Sequence, residues 1–155
     1  MKKFVLSILG ISTMFVASAQ KINYKVGVMT GLPANVTTTH VAAGSTMLEA
    51  STTLGKSSKY QATLNTGYVR LSVDEAKISQ IPVLVGARYS VNPNWYFGGC
   101  VGVTIPTKKS YGSTEFGYSP YIGYQKGHIS VDGRYYLSGL QTPTNTMSLV
   151  FSYSL

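Results

Sequence analysis

From Ser79 to Val91 the chain alternates: Ile81, Val83, Val85, Ala87, Tyr89 and Val91 fall on one parity, and Gln80, Gly86, Arg88 and Ser90 on the other. Pro82 and Leu84 are the exceptions. A period of two marks a strand whose two faces meet different surroundings. Seven other segments repeat the pattern. Ile22 to Thr30 sets Ile22, Tyr24, Val26 and Val28 against Asn23, Lys25 and Gly27, and Thr46 to Leu54 sets Leu48, Ala50 and Leu54 against Glu49, Ser51 and Thr53. Tyr60 to Leu71 sets Tyr60, Ala62, Leu64 and Tyr68 against Gln61, Thr63, Asn65 and Gly67. Its parity blurs at Val69, Arg70 and Leu71, which predicts a bulge or strand end there. Trp95 to Ile105 sets Trp95, Phe97, Val101, Val103 and Ile105 against Gly98, Cys100, Gly102 and Thr104. Thr114 to Tyr124 and His128 to Leu140 place Glu115, Asp132, Arg134 and Tyr136 opposite an aliphatic and aromatic row, and Met147 to Leu155 sets Met147, Leu149, Phe151, Tyr153 and Leu155 against Ser148, Ser152 and Ser154.

These segments are long enough, at about 9–11 residues, for a tilted strand to cross a bilayer. Their chemistry points the same way. One face is aliphatic with aromatic flanks, and the charges share parity with the small, polar face. An Arg facing lipid near the midplane would cost about 2–4 kcal/mol, so the apolar row must face out and the register is strongly specified. The connections alternate as well. Gly55 to Ser58, Asn92-Pro93-Asn94 and Gln125 to Gly127 are tight, whereas Gly31 to Ser45, Ser72 to Ile78, Pro106 to Ser113 and Gln141 to Thr146 are longer. Short turns on one side and longer loops on the other are the outer-membrane pattern.

Composition narrows this further. Only 12% of the 155 residues are charged, about half the usual share for a soluble domain. Lys2 and Lys3 precede the apolar stretch Phe4 to Phe15, and Ala17-Ser18-Ala19 offers the small residues of a cleavage site. Residues 1–19 therefore read as a secretory signal peptide cut before Gln20. The lysines leave with it, so the net charge of +8 becomes +6. Residues 20–155 form the single predicted domain. Cys100, alone in the chain, cannot form an internal disulfide and reads as a small filler.

Val26-Gly27-Val28 with Gly31, Ile81-Pro82-Val83-Leu84-Val85, and the Gly-rich strand from Trp95 to Val103 after an Asn-Pro-Asn turn resemble the porin-like outer-membrane β-barrel family of the Bacteroidetes group. The resemblance covers the whole mature chain. It implies a barrel and no particular activity. The alternating last strand, ending in Leu155 where many outer-membrane proteins end in Phe or Trp, implies the barrel-assembly machinery as a partner during biogenesis.

Candidate chemistry is sparse. Lys25, Glu49, Arg88, Glu115, Asp132 and Arg134 share the inward parity and are expected to form a lumen charge network. An eight-stranded barrel is only wide enough for its interior to be filled by side chains, so the network is expected to fill rather than to select. Tyr24, Tyr60, Tyr89, Trp95, Phe97, Tyr124 and Tyr153 are expected to form aromatic girdles at the membrane interfaces. The two histidines, His40 in a long loop and His128 beside a tight turn, should lie on opposite sides of the membrane. His40 with Ser45 and Glu49 is the one conceivable hydrolytic set, at an unremarkable spacing. No cofactor or metal site is expected. The basic residues are scattered over turns, loops and lumen, which argues against nucleic acid and for anionic lipid and lipopolysaccharide at the rims.

The expectation is thus an all-β, eight-stranded antiparallel up-and-down transmembrane β-barrel. It would be a monomeric, non-enzymatic outer-membrane protein with periplasmic termini. Its role would lie in envelope structure, surface interaction or minor small-solute passage. A soluble lipocalin-like binding barrel would need the reverse parity, and an outer-membrane lipid hydrolase would need His40.

Overall fold

The computed structural model describes residues 22–33, 41–54, 59–73, 76–108, 113–138 and 144–155. The signal segment 1–19 and His40 lie outside them. The strands in chain order are β1 (Ile22–Pro33), β2 (Val41–Thr53), β3 (Tyr60–Val73), β4 (Ala76–Ser90), β5 (Trp95–Pro106), β6 (Glu115–Lys126), β7 (Ile129–Ser138) and β8 (Thr144–Ser154). Each pairs antiparallel with the next, and β8 pairs back onto β1 to close the barrel. Closure removes both sheet edges, so the backbone of every strand finds its partners inside the wall.

The registers fix the shape. A row of paired residues leaves β1 at Asn23 and runs through Ser51, Thr63, Gly86, Cys100, Ser119, Tyr136 and Thr146; it rejoins β1 at Pro33, ten residues further along. Strand number and this stagger together set the width and a strand tilt of about 40°. The outward row carries exposed Val26, Val28, Leu48, Leu64, Val101, Ile122 and Leu149. The inward row carries buried Lys25, Glu49, Arg88, Asp132 and Arg134. This parity is the reverse of what a lipocalin-like barrel requires.

Two expectations about the strands fail for identifiable reasons. No bulge interrupts β3: Tyr60↔Tyr89 and Val73↔Ala76 share one unbroken register. The parity blurs there only because an apolar Val69 points in, buried, while a charged Arg70 points out, exposed. The predicted loop from Ser72 to Ile78 is also absent, since β3 and β4 continue until only residues 74–75 separate them. Likewise β2 begins at Val41, inside the predicted Gly31–Ser45 loop. Past the membrane both faces of a hairpin meet water, so side-chain alternation fades while backbone pairing goes on.

The described tight turns, at Asn92–Asn94 and Gly127–His128, sit at one end with Ile22 and Leu155. Asn92 Oδ1 accepts from the backbone N–H groups of Asn94 (2.9 Å) and Trp95 (2.8 Å), closing the Asn-Pro-Asn turn. Gly127 adopts φ 60°, which the short β6–β7 turn needs and which other residues rarely take. This is the turn end of the barrel; the opposite end is the loop end. Val85 and Val103 sit on the outward row. In a Cys100→Ser background in lipid vesicles, Val85→Cys and Val103→Cys should react with a lipid-soluble maleimide and ignore a charged one. Val85→Arg should lower stability by about 2–4 kcal/mol in urea titrations.

Candidate functional site in the barrel lumen

Inward positions near the turn end gather the charges, because β2, β4 and β7 each place one or two of them at the same height. Glu49 on β2 is the hub. One of its oxygens accepts from Arg88 Nη2 of β4, and the other from Arg134 Nη2 of β7 at 3.3 Å. Arg134 also pairs with Asp132 at 2.9 Å, and Tyr96 donates its hydroxyl to the second Asp132 oxygen. Arg134 Nη1 donates to Asn65 Oδ1 (3.2 Å), whose amide nitrogen in turn donates to Cys100 Sγ (3.2 Å). Cys100 is therefore more than a filler. Its thiol lies 1% exposed within the polar network, a short contact from Thr63 as well.

The cations and rings alternate along the lumen. Lys25 Nζ lies 5.1 Å from the Tyr96 centroid, and Arg88 covers the same ring at 4.3 Å. Tyr121 follows, with Arg88 at 5.8 Å and Arg134 at 4.4 Å. Each such contact contributes about 0.5–2 kcal/mol when desolvated. Lys25 closes the turn end of the column by donating to Gln125 Oε1 (2.8 Å) and Ser130 Oγ (3.3 Å). Room for the two central rings comes from glycine on neighbouring strands. A Cβ at Gly98 would come within 2.6 Å of the Tyr121 ring, and one at Gly123 would strike Tyr96 and Asp132.

Towards the loop end the lining becomes apolar, with Met47, Val69, Leu84 and Tyr136 all buried. Tyr136 shares a short hydrogen bond with Thr104. The cavity left beside Arg134 and Asn65 is about 40 Å³, space for about one water molecule.

Five of the six expected lumen charges come together: Lys25, Glu49, Arg88, Asp132 and Arg134. Glu115 does not. It shares their parity but opens β6 at the loop end, half-buried and outside the three ion pairs around Glu49 and Asp132. Parity reveals a face but not a height. Tyr136 lies inward with Asp132 and Arg134, as the alternation of its segment places it, whereas Tyr96 and Tyr121 were missed as lumen residues although each lies at an inward parity position. Ser45 and Glu49 also fail to form a catalytic pair. They stand four residues apart on one strand, about 13 Å, with Met47 between them, and Glu49 is held by two arginines. His128 sits at the turn end, stacked on Tyr153 at 5.5 Å.

The seven aromatics expected as girdles gather at the turn end alone. Tyr60, Tyr89 and Phe97 form a chain of ring contacts at 5.0 and 5.3 Å, and Trp95 meets Tyr124 at 5.2 Å. Tyr24 and Tyr153 continue the exposed ring across the β1–β8 seam. A second outward group, Tyr68, Phe116 and Tyr118, lies towards the loop end. It was legible in the same alternation but was not singled out.

Comparison with known proteins identifies the fold. No protein-family model and no curated protein sequence matches the chain. Among solved structures, a de novo designed transmembrane β-barrel superposes with TM-score 0.62 at 13% identity, covering 86% of this chain and 95% of the design. The Yersinia pestis outer-membrane protein Ail, in a phospholipid nanodisc, superposes with TM-score 0.62 at 12% identity, covering 87% of this chain and all of Ail. Ail in complex with the heparin analogue sucrose octasulfate gives 0.57 at 12% identity, over 88% and 97% of the two chains. The chain therefore has the fold of the eight-stranded transmembrane β-barrels.

Removing Glu49 leaves two buried arginines without their shared acceptor. Glu49→Ala should cost about 3–5 kcal/mol in urea unfolding from vesicles. Gly98→Ala, which crowds Tyr121, should cost about 1–3 kcal/mol in the same assay. Wild-type stability in both would show that the lumen packing described here is wrong.

Proposed function

We propose that this chain is a non-enzymatic, monomeric integral protein of the outer membrane, of the porin-like kind that its sequence resembles. Its termini and tight turns face the periplasm and its loops face outside. Its work is mechanical and superficial: it braces the envelope and offers loops to the surroundings, while little solute passes through it. One observation carries the reading. An uncharged aliphatic wall lies between two sets of outward aromatics, and it encloses a lumen filled by ion pairs, tyrosines and apolar side chains with a cavity of about 40 Å³. Such a wall is suited to lipid, with the aromatic sets as interface belts, and such a lumen leaves no water column for ions. Likeness to Ail and to designed transmembrane barrels supports the membrane setting. The signal segment supports export.

Three measurements test it. The unheated protein should migrate differently from the heated protein on a detergent gel. Planar bilayers containing it should show no steady channels. On intact cells, in a Cys100→Ser background, Ser113→Cys should be labelled by an impermeant maleimide and Asn92→Cys should not. Extraction as a soluble periplasmic protein would overturn the membrane reading, and the opposite labelling would invert the orientation.

A further inference from the structure

We propose that the turn end of the lumen holds one small monovalent anion of the chloride class, bound by Lys25, Ser152 and Ser154. The site is the same whichever end of the barrel faces outside. The charges of the lumen motivate it. Glu49 and Asp132 supply two negative charges, and Arg88 and Arg134 meet them in three ion pairs. Lys25 takes part in none of these, although it is only 5% exposed. Three cations less two carboxylates leave this layer with a charge of +1. The Lys25 ammonium donates to Gln125 Oε1 and Ser130 Oγ, both neutral, and the Tyr96 ring at 5.1 Å adds a face but no full charge. An ammonium has three N–H bonds to place, and a buried cation without a counter-charge is costly. One anion beside Lys25 brings the layer to zero.

Further donors stand next to it. Ser154 of β8 lies directly across from Lys25, and Ser152, the next inward residue of β8, lies between Gly27 of β1 and Ser130 of β7. Opposite residues bring their Cβ atoms to about 5 Å, so Lys25, Ser130, Ser152 and Ser154 form one inward patch over three strands. A Cβ at Gly27 would come within 2.8 Å of Ser152 Oγ, so that hydroxyl leans towards the strand that carries Lys25. Ser152 is 6% exposed, and its hydroxyl and that of Ser154 are buried with no partner among the described residues. A buried hydroxyl that gives its proton to nothing is destabilising. An ammonium and two unclaimed O–H groups at one place, with no carboxylate among them, are a donor set for an anion. The excess of one charge fits a monovalent ion. A phosphate dianion would overcompensate it and bring more acceptor sites than three donors can meet. Half-buried Gln125 and Ser154 border the approach from the turn end.

Chloride NMR of the protein in non-ionic detergent tests this. The protein should broaden the chloride line, bromide should reverse the broadening saturably, and bulky gluconate should not. Lys25→Met should abolish the effect. The pair Ser152→Ala, Ser154→Ala should weaken chloride about a hundredfold, at about tenfold per hydroxyl. Lys126→Gln, exposed at the same end, should leave it unchanged. Stability gives a second readout. At constant ionic strength, a tenfold rise in chloride over gluconate should lower the wild-type unfolding constant by up to about tenfold. The serine pair should lose this response yet match the wild type in gluconate alone, where its hydroxyls hold nothing. Absence of broadening by the wild type, or broadening that survives Lys25→Met and the serine pair, overturns the proposal. So does a loss of stability in the serine pair that is equal in both salts, which marks bound water only. Displacement by inorganic phosphate at concentrations below those of bromide marks a phosphate site and overturns the monovalent class. Every sample is first checked for the heat-dependent gel shift. A wild type without the shift counts against the membrane reading, separately from this site. If Lys25→Met lacks the shift, the serine pair decides the question.

Discussion

A strand surrounded by hydrocarbon has nowhere to send its backbone N–H and C=O groups except to another strand, and each group left over costs several kilocalories per mole. Closing the sheet is the way to leave none, and the pairing of β8 with β1 does this. The rest of the architecture follows. A closed sheet of eight strands with a ten-residue stagger has a narrow bore, and a narrow bore must be filled. The wall then faces two solvents at once. Lipid outside selects Val26, Leu48, Val101 and Leu149, and the confined interior takes whatever packs and satisfies its own polar groups.

What it takes is a charge cluster rather than an oil drop, confined to half the height of the barrel. Burying five ionised side chains is costly unless every one is paired, and such pairing offsets the desolvation rather than exceeding it. Here one carboxylate serves two arginines, and tyrosine rings separate the cations. Above that layer Met47, Val69 and Leu84 seal the bore from the loop end. The stratification explains why a lumen rich in charge is still not a channel. Two carboxylates offset the two arginines across the bore, neutral Gln125 and Ser130 hold Lys25, and apolar side chains close the way to them.

Much of this was legible in the sequence, and each gap has a physical cause. A period of two distinguishes in from out. It therefore identified the outward rows of β4 and β5 residue by residue and the inward parity of Lys25, Glu49, Arg88, Asp132 and Arg134. It carries no information about height along the axis. Glu115 was grouped with charges that lie at the other end of the barrel, and the seven girdle aromatics carried no assignment to an end, although all of them lie at the turn end. Nor does alternation mark where strands stop once both faces meet water, so the ends of β2, β3 and β4 at the loop end were drawn too short. The lumen tyrosines Tyr96 and Tyr121 were hidden for a chemical reason. An aromatic residue in a barrel is expected at the membrane interface, and only the glycines opposite, Gly98 and Gly123, hint that a ring lies inside.

The two arginines that share Glu49 enter the chain 39 and 85 residues after it. This spacing bears on how the barrel comes together in time. A chain that has added only β1 to β4 holds Glu49 and Arg88 as neutral partners. Arg134 and Asp132 bring a second, self-compensating pair with β7, and its link to Glu49 forms only when the wall curls fully round. No single hairpin contains this cross-bore link, so a half-built sheet gains little from it while still exposing unpaired edges. The reward for assembly is deferred to the last step. Insertion and closure are thereby tied into one cooperative event, and the final hairpin acts as the latch that makes it hard to reverse.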